Sequence, residues 1–269
     1  MSKLYMNNFP SFVLKFFLTL SCILSLKTST AQVIKGDDVI TNEWAKGTLQ
    51  IDGNLADWGD SLRYYHESTR FSFNIANNKD VIYLAIKSQD KQNLSRILAR
   101  GISFSVNTEA KKKAGPTIIF PVVERRQPVK SAKPQTESKE KRQSEILSAI
   151  QKINVTGFTE ILDGSISMSN SYGISAAAGF DKQNNLVLEI AIPLQLLEIS
   201  SDQKIVACSI EINGIKSPRA VYDPNRDRRR DMYGNRSMDY GYDRRPVVNK
   251  QNLATGFWIR STLAKKNNN

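Results

Sequence analysis

Apolar residues recur at every second position in one short stretch after another, with turn residues between them. Arg70–Ile75 puts Phe71, Phe73 and Ile75 on one side, and Asn77–Asp80 is a turn cluster. Val81–Lys87 follows as a strongly apolar strand, so the pair reads as a hairpin. Ile102–Val106, Thr117–Val123 and Ile205–Ile212 are strand-like in the same way, and Gly256–Ser261 makes a last strand. Leu186–Pro193 carries Leu186, Leu188, Ile190 and Ile192 on one face and closes at Pro193, which has no N–H for a central ladder. Thr48–Ile51 alternates before a turn and reads as a first strand, and Gly173–Phe180 is a weaker candidate. A short helix is expected in Asn93–Arg100 and a single helical turn in Leu194–Ile199. About eight to ten strands without alternating βα units define an all-β chain. The expected architecture is an antiparallel β-sandwich, immunoglobulin-like or jelly-roll.

The first 31 residues have the pattern of an export leader. Lys3 supplies early positive charge, and an apolar run extends from Phe16 to Leu26. That run suits a signal-peptide core and is short for a bilayer span. Ser29-Thr30-Ala31 offers small residues for cleavage before Gln32, so a secreted, periplasmic or outer-envelope protein is expected, with no transmembrane span left after cleavage. Residues 32–265 then form one sandwich domain. Cys208 alone remains among the cysteines, so no internal disulfide is available and stability rests on a core. In the strand-like Lys204–Ile212 it reads as a buried, inert thiol. The formal charge is +12, and the leader takes away Lys3, Lys15 and Lys27 and no acid, leaving +9. A basic protein outside the cytoplasm meets anionic polysaccharide, lipopolysaccharide and phospholipid rather than genomic nucleic acid.

Two stretches interrupt the strand pattern. Residues 124–145 are rich in Lys, Glu, Gln and Pro and read as a mobile charged insertion, with helix extending from Glu137 to Ile153. Residues 217–248 form a long loop rich in Arg and Tyr, of a length expected to be functional or disordered.

The octapeptide Ile51-Asp52-Gly53-Asn54-Leu55-Ala56-Asp57-Trp58 reads as the end of a strand, a tight Asp-Gly turn and a Trp-anchored second element. It resembles the opening of the family 9 carbohydrate-binding module and its DOMON-like relatives. Further stretches in matching order carry the resemblance: Val81–Asp90, Gly101–Pro121, and Leu188-Glu189-Ile190-Ala191-Ile192-Pro193. Gly101–Pro121 is similar to secreted Bacteroidetes-type members, although Asn107 stands where many of them have Asp. The resemblance implies a non-catalytic sandwich that binds a glycan, neutral or anionic. In this reading Asp52, Gly53, Asp57 and Trp58 are structural, Trp58 being a core anchor.

Sugar recognition needs an exposed flat ring and polar groups that reach hydroxyls. The candidate ligand residues are Trp44, Tyr64, Tyr65 and Trp258, with Tyr222, Arg226 and Arg228 from the long loop. Tyr64 and Tyr65 are adjacent, so on a strand they point to opposite faces. The other reading is an envelope scaffold whose basic loops dock a protein partner or lipopolysaccharide. No catalytic residues, metal or cofactor are expected. His66 is the only histidine and no Gly-x-Ser-x-Gly elbow is present. Asp223-Pro224-Asn225-Arg226-Asp227 begins like a calcium loop, but Arg228 occupies the position that needs glycine.

Overall fold

The computed structural model describes residues 31–59, 61–123, 138–199, 203–214 and 253–266. Fourteen strands in the described residues build two seven-stranded sheets. The first contains β1 (Gln32–Ile34), β3 (Glu43–Trp44), β4 (Tyr64–His66), β5 (Phe71–Asn77), β6 (Val81–Ser88), β11 (Ser175–Phe180) and β12 (Leu186–Pro193). Its order is β1-β4-β5-β6-β12-β11, and β3 also pairs with β5. The second contains β2 (Val39–Thr41), β7 (Ile102–Asn107), β8 (Thr117–Val123), β9 (Ile150–Thr156), β10 (Gly164–Ser167), β13 (Ile205–Ile212) and β14 (Thr255–Thr262), in the order β10-β9-β8-β7-β13-β14-β2. The central pairs are antiparallel; the short strands β1, β2 and β3 attach in parallel. The fold is an all-β sandwich.

Alternation places the core. Ile82, Leu84 and Ile86 of β6 and Leu188, Ile190 and Ile192 of β12 face the second sheet, where Phe104, Val106, Val206, Cys208 and Ile210 meet them. The opposite parity of β6 and β12 carries Tyr83, Ala85 and Ala191, and these are buried too. A strap formed by residues 45–59 and 61–62 lies over that outer face, with Ala45, Trp58 and Leu62 packed on it. Cover on both faces explains why β6 and β12 read as nearly continuous apolar runs. The small side chains at Ala76, Ala85 and Ala191 leave room for the Trp58 ring.

The sandwich has two ends. At one, α1 (Lys91–Arg100) follows β6, capped by Asp90, whose carboxylate accepts the Gln92 N–H at 2.7 Å. Ile97 of α1 is buried in the core. At the other end lie the β5–β6 turn and the C-terminal ends of β12 and β14.

Three expectations are corrected, and one strand is added. Thr48–Ile51 is not a strand, because it belongs to the strap and is tied by side chains instead of a ladder. The helix of the insertion, α2 (Lys139–Ser148), stops before Ile150, where β9 begins. Ile150, Ile153 and Val155 are drawn into the core, which outweighs the helical bias of the charged residues before them. β10 was not anticipated; it is a short, polar edge strand held by its ladder to β9. The candidate Gly173–Phe180 begins as a strand only at Ser175.

Candidate functional site

The Ile51–Trp58 motif is held by one buried carboxylate. Glu189, in β12, is 0% exposed on the outer face of the first sheet. Its Oε2 accepts the N–H groups of Asp52 (3.0 Å) and Gly53 (2.7 Å), and its Oε1 accepts Trp58 Nε1–H at 2.7 Å. Burial pushes the Glu189 carboxyl above its usual range, and the three donors pull it back. Asp52 Oδ1 accepts the Asn54 N–H, Asn54 caps a short 3-10 turn at Leu55–Trp58, and Asp57 accepts the Gln50 N–H at 2.8 Å. Gly53 has φ +82°, and a Cβ there would sit 2.6 Å from the Ala178 carbonyl carbon. Gly179 completes the contact, since its own Cβ would meet the Gly53 carbonyl oxygen at 2.2 Å. Trp58 is 7% exposed. All four motif residues therefore serve the strap, and Trp58 has no open face.

Trp44 lies differently. β3 pairs Trp44 with Asn77, and the Ala45 N–H donates to the Asn77 carbonyl at 3.0 Å. Its ring is partly exposed at the end of the sandwich opposite α1. Asn77 is the pin of that end. Its Nδ2 donates to the Ala264 carbonyl (3.0 Å), and its Oδ1 accepts the Ala264 N–H (2.8 Å) and Asn42 Nδ2 (3.1 Å). Ser261 Oγ donates to Asn42 Oδ1. This buried network joins β5 to the segment after β14, so both sheets contribute to what surrounds Trp44. The β5–β6 turn is set by Asn78, whose Oδ1 accepts the N–H groups of Asp80 and Val81, both at 2.8 Å. The Leu194 N–H donates to the Asp80 carbonyl at 2.7 Å and ties this turn to the end of β12.

Between these pieces runs a cleft of about 990 Å³. Trp44, Val81, Pro193, Leu194 and Leu263 give it apolar walls, and Lys79, Asp80, Gln195 and Lys266 give it polar reach. A neighbouring hollow of about 690 Å³ is shared by Trp44, Lys46, Thr48, Lys79, Asp80 and Lys266. Trp44 also borders a third, of about 470 Å³, beside Asp57 and Trp58. A flat ring with one apolar wall and flexible donors and acceptors around it is chemistry suited to a polyhydroxylated ring.

The other aromatic candidates are not gathered there. Tyr64 is 2% exposed; its ring packs on Phe73 and its hydroxyl donates to the Thr41 carbonyl at 3.1 Å. It is a core residue, which corrects its candidacy as a ligand platform. Tyr65 is partly exposed on β4, with its strand neighbours Tyr64 and His66 turned inward. Trp258 is partly exposed on the outer side of β14, opposite Ser209. Tyr222, Arg226 and Arg228 lie outside the described residues, as do the calcium-like stretch and residues 124–137 of the charged insertion. The sequence reading missed Asn42, Asn77 and Glu189. Each pairs with residues far along the chain, and no local pattern signals that. His66 is buried and stacks on Phe257 at 3.9 Å. Cys208 is buried in β13, and burial pushes its thiol up to about 12.

No family model matches the chain, and no curated protein matches it. Among solved structures it is similar to a family 9 carbohydrate-binding module from Caldicellulosiruptor kristjanssonii in complex with cellotriose. That similarity has 10% identity and a TM-score of 0.30, covering 65% of this chain and 76% of that one. A family 9 module from the same organism in complex with glucose is similar at 9% identity and a TM-score of 0.29, covering 67% and 80%. The sandwich architecture stands on this chain's own strand pairing. No described helix is long and apolar enough to cross a membrane.

Proposed function

We propose that this chain is a non-catalytic, glycan-binding β-sandwich that works outside the cytoplasm. The observation that carries the reading is the partly exposed Trp44 ring in a cleft built from both sheets. A pyranose presents an apolar C–H face that stacks on an indole, and its hydroxyls meet the side chains of Lys79, Asp80 and Gln195. The two family 9 modules similar to this chain are described in complex with cellotriose and with glucose. The leader-like first 31 residues support action beyond the cytoplasm.

Screening the protein on a glycan array and measuring its best ligand by calorimetry tests this. Trp44→Ala is expected to lower affinity by about tenfold or more, the loss of a buried stacking surface. Binding that ignores Trp44→Ala, or an array with no ligand, sinks the reading. Capture of an envelope protein by a surface remote from Trp44 would favour a scaffold role instead.

A further inference from the structure

Four lysines line the Trp44 cleft or the 690 Å³ hollow beside it, Lys46 only the hollow, and they come from three separate parts of the chain. Lys46 lies in the strap, Lys79 is at the tip of the β5–β6 turn, and Lys265 and Lys266 follow β14. This is not a run of charge in the sequence; the fold collects it. Among the described residues Asp80 is the only carboxylate lining the 990 Å³ cleft or its 690 Å³ neighbour, while Glu43 and Asp57 line the third hollow that Lys46 also borders. Asp80 is itself paired with Lys79 at 3.7 Å, with both side chains well exposed. Such a pair contributes little and exchanges readily. Among the described residues no ion pair engages Lys46, Lys265 or Lys266.

Resting on the glycan-binding reading above, we infer that the Trp44 cleft selects acidic saccharides, whose ring carboxylate or sulfate meets Lys46, Lys79 and Lys266 while the sugar face lies on Trp44. Lysine suits this role because its ammonium is a mobile point charge that needs no fixed bidentate geometry. A concave wall of one sign also raises the local concentration of anions before contact. The Asn77 network holds the turn that carries Lys79 and the segment that leads to Lys265 and Lys266 in fixed relation, so the charges need not be assembled on binding.

Calorimetry with size-matched oligosaccharides tests the inference: oligogalacturonate for the carboxylate, a sulfated galactan fragment for the sulfate, and cellohexaose as the neutral control. At low salt the acidic ligands are expected to bind about tenfold more tightly than cellohexaose. The triple variant Lys46→Gln, Lys79→Gln, Lys266→Gln is expected to erase that preference by weakening the acidic ligands about tenfold, a larger loss than any it causes for cellohexaose. Trp44→Ala should weaken all ligands, and Trp44→Tyr, which keeps a ring, should restore most of the loss. Preference for only one anion identifies the group that is read. Equal affinity for neutral and acidic ligands, with Trp44 dependence intact, overturns this inference alone. Acidic binding that survives both the triple variant and Trp44→Ala is general polyanion attraction and also overturns it. No binding of any saccharide overturns the glycan reading with it.

Discussion

Glu189 shows how much one residue organises. Two carboxylate oxygens face three N–H donors and are out of contact with water. A glutamine has one acceptor oxygen and one donor nitrogen, so whichever way it turns, an N–H faces an N–H. Glu189→Gln is therefore expected to cost about 1–3 kcal/mol, read as a lower midpoint in urea; an unchanged midpoint would refute the tie. Gly53→Ala forces a side chain into positive φ and against the Ala178 backbone. Both changes lift the same strap, so the double variant should lose less than the sum of the singles. Additive losses in the double-variant cycle would show that the strap is not one unit. The Asp-Gly turn is legible in the sequence from residue types. The carboxylate 136 residues away that holds it is not.

Among elements, the β11–β12 hairpin has its own fastener. Asp181 accepts the N–H groups of Gln183 and Asn185 and pairs with Lys87 of β6 at 2.7 Å. Partial burial works to raise its pKa, but the bonds from Lys87 and Asn185 outweigh this and hold the carboxyl below its ordinary value. A depressed folded pKa gives stability that is present above the unfolded value and is lost as pH falls through the folded one. Asp181→Ala is expected to cost about 1–3 kcal/mol at neutral pH. The difference from the native protein should close in acid, as urea melts between pH 7 and pH 2 can record. A gap that persists at the lowest pH would mean that the loss comes from packing. The long, regular strands and α1 were readable because their period and caps are local. β9 and β10 were not, because the charged residues preceding β9 mask a strand that exists only where β8 offers a partner. Thr48–Ile51 alternates like a strand, yet no ladder receives it.

Across the whole molecule, acid sensitivity near neutrality is expected to run through His66. The Thr69 N–H donates to His66 Nδ1 at 3.3 Å, so that nitrogen is an acceptor and the ring is neutral. Burial holds its pKa below 6.5 despite the nearby Asp38 and Glu67. The unfolded chain then takes up the proton first, and stability falls as pH drops below 6.5. Glu189 works in the opposite sense: its raised pKa gives stability in acid that is lost as pH rises through it. Comparing His66→Gln with the native protein by melts from pH 7 to pH 5 should show a flatter profile in the variant; equal slopes would exclude His66 as the source. The same division separates what residue order carries from what folding adds. Period-two alternation, Pro193 at a strand end and the Asp-Gly turn specify strands and turns, because each acts over a few residues, and they suffice for an all-β sandwich. The closing of the strap by Glu189, the pinning of both sheets by Asn77 and the gathering of Lys46, Lys79 and Lys266 around Trp44 join residues from distant parts of the chain. Only burial and sheet register bring those together, so the site belongs to the tertiary structure.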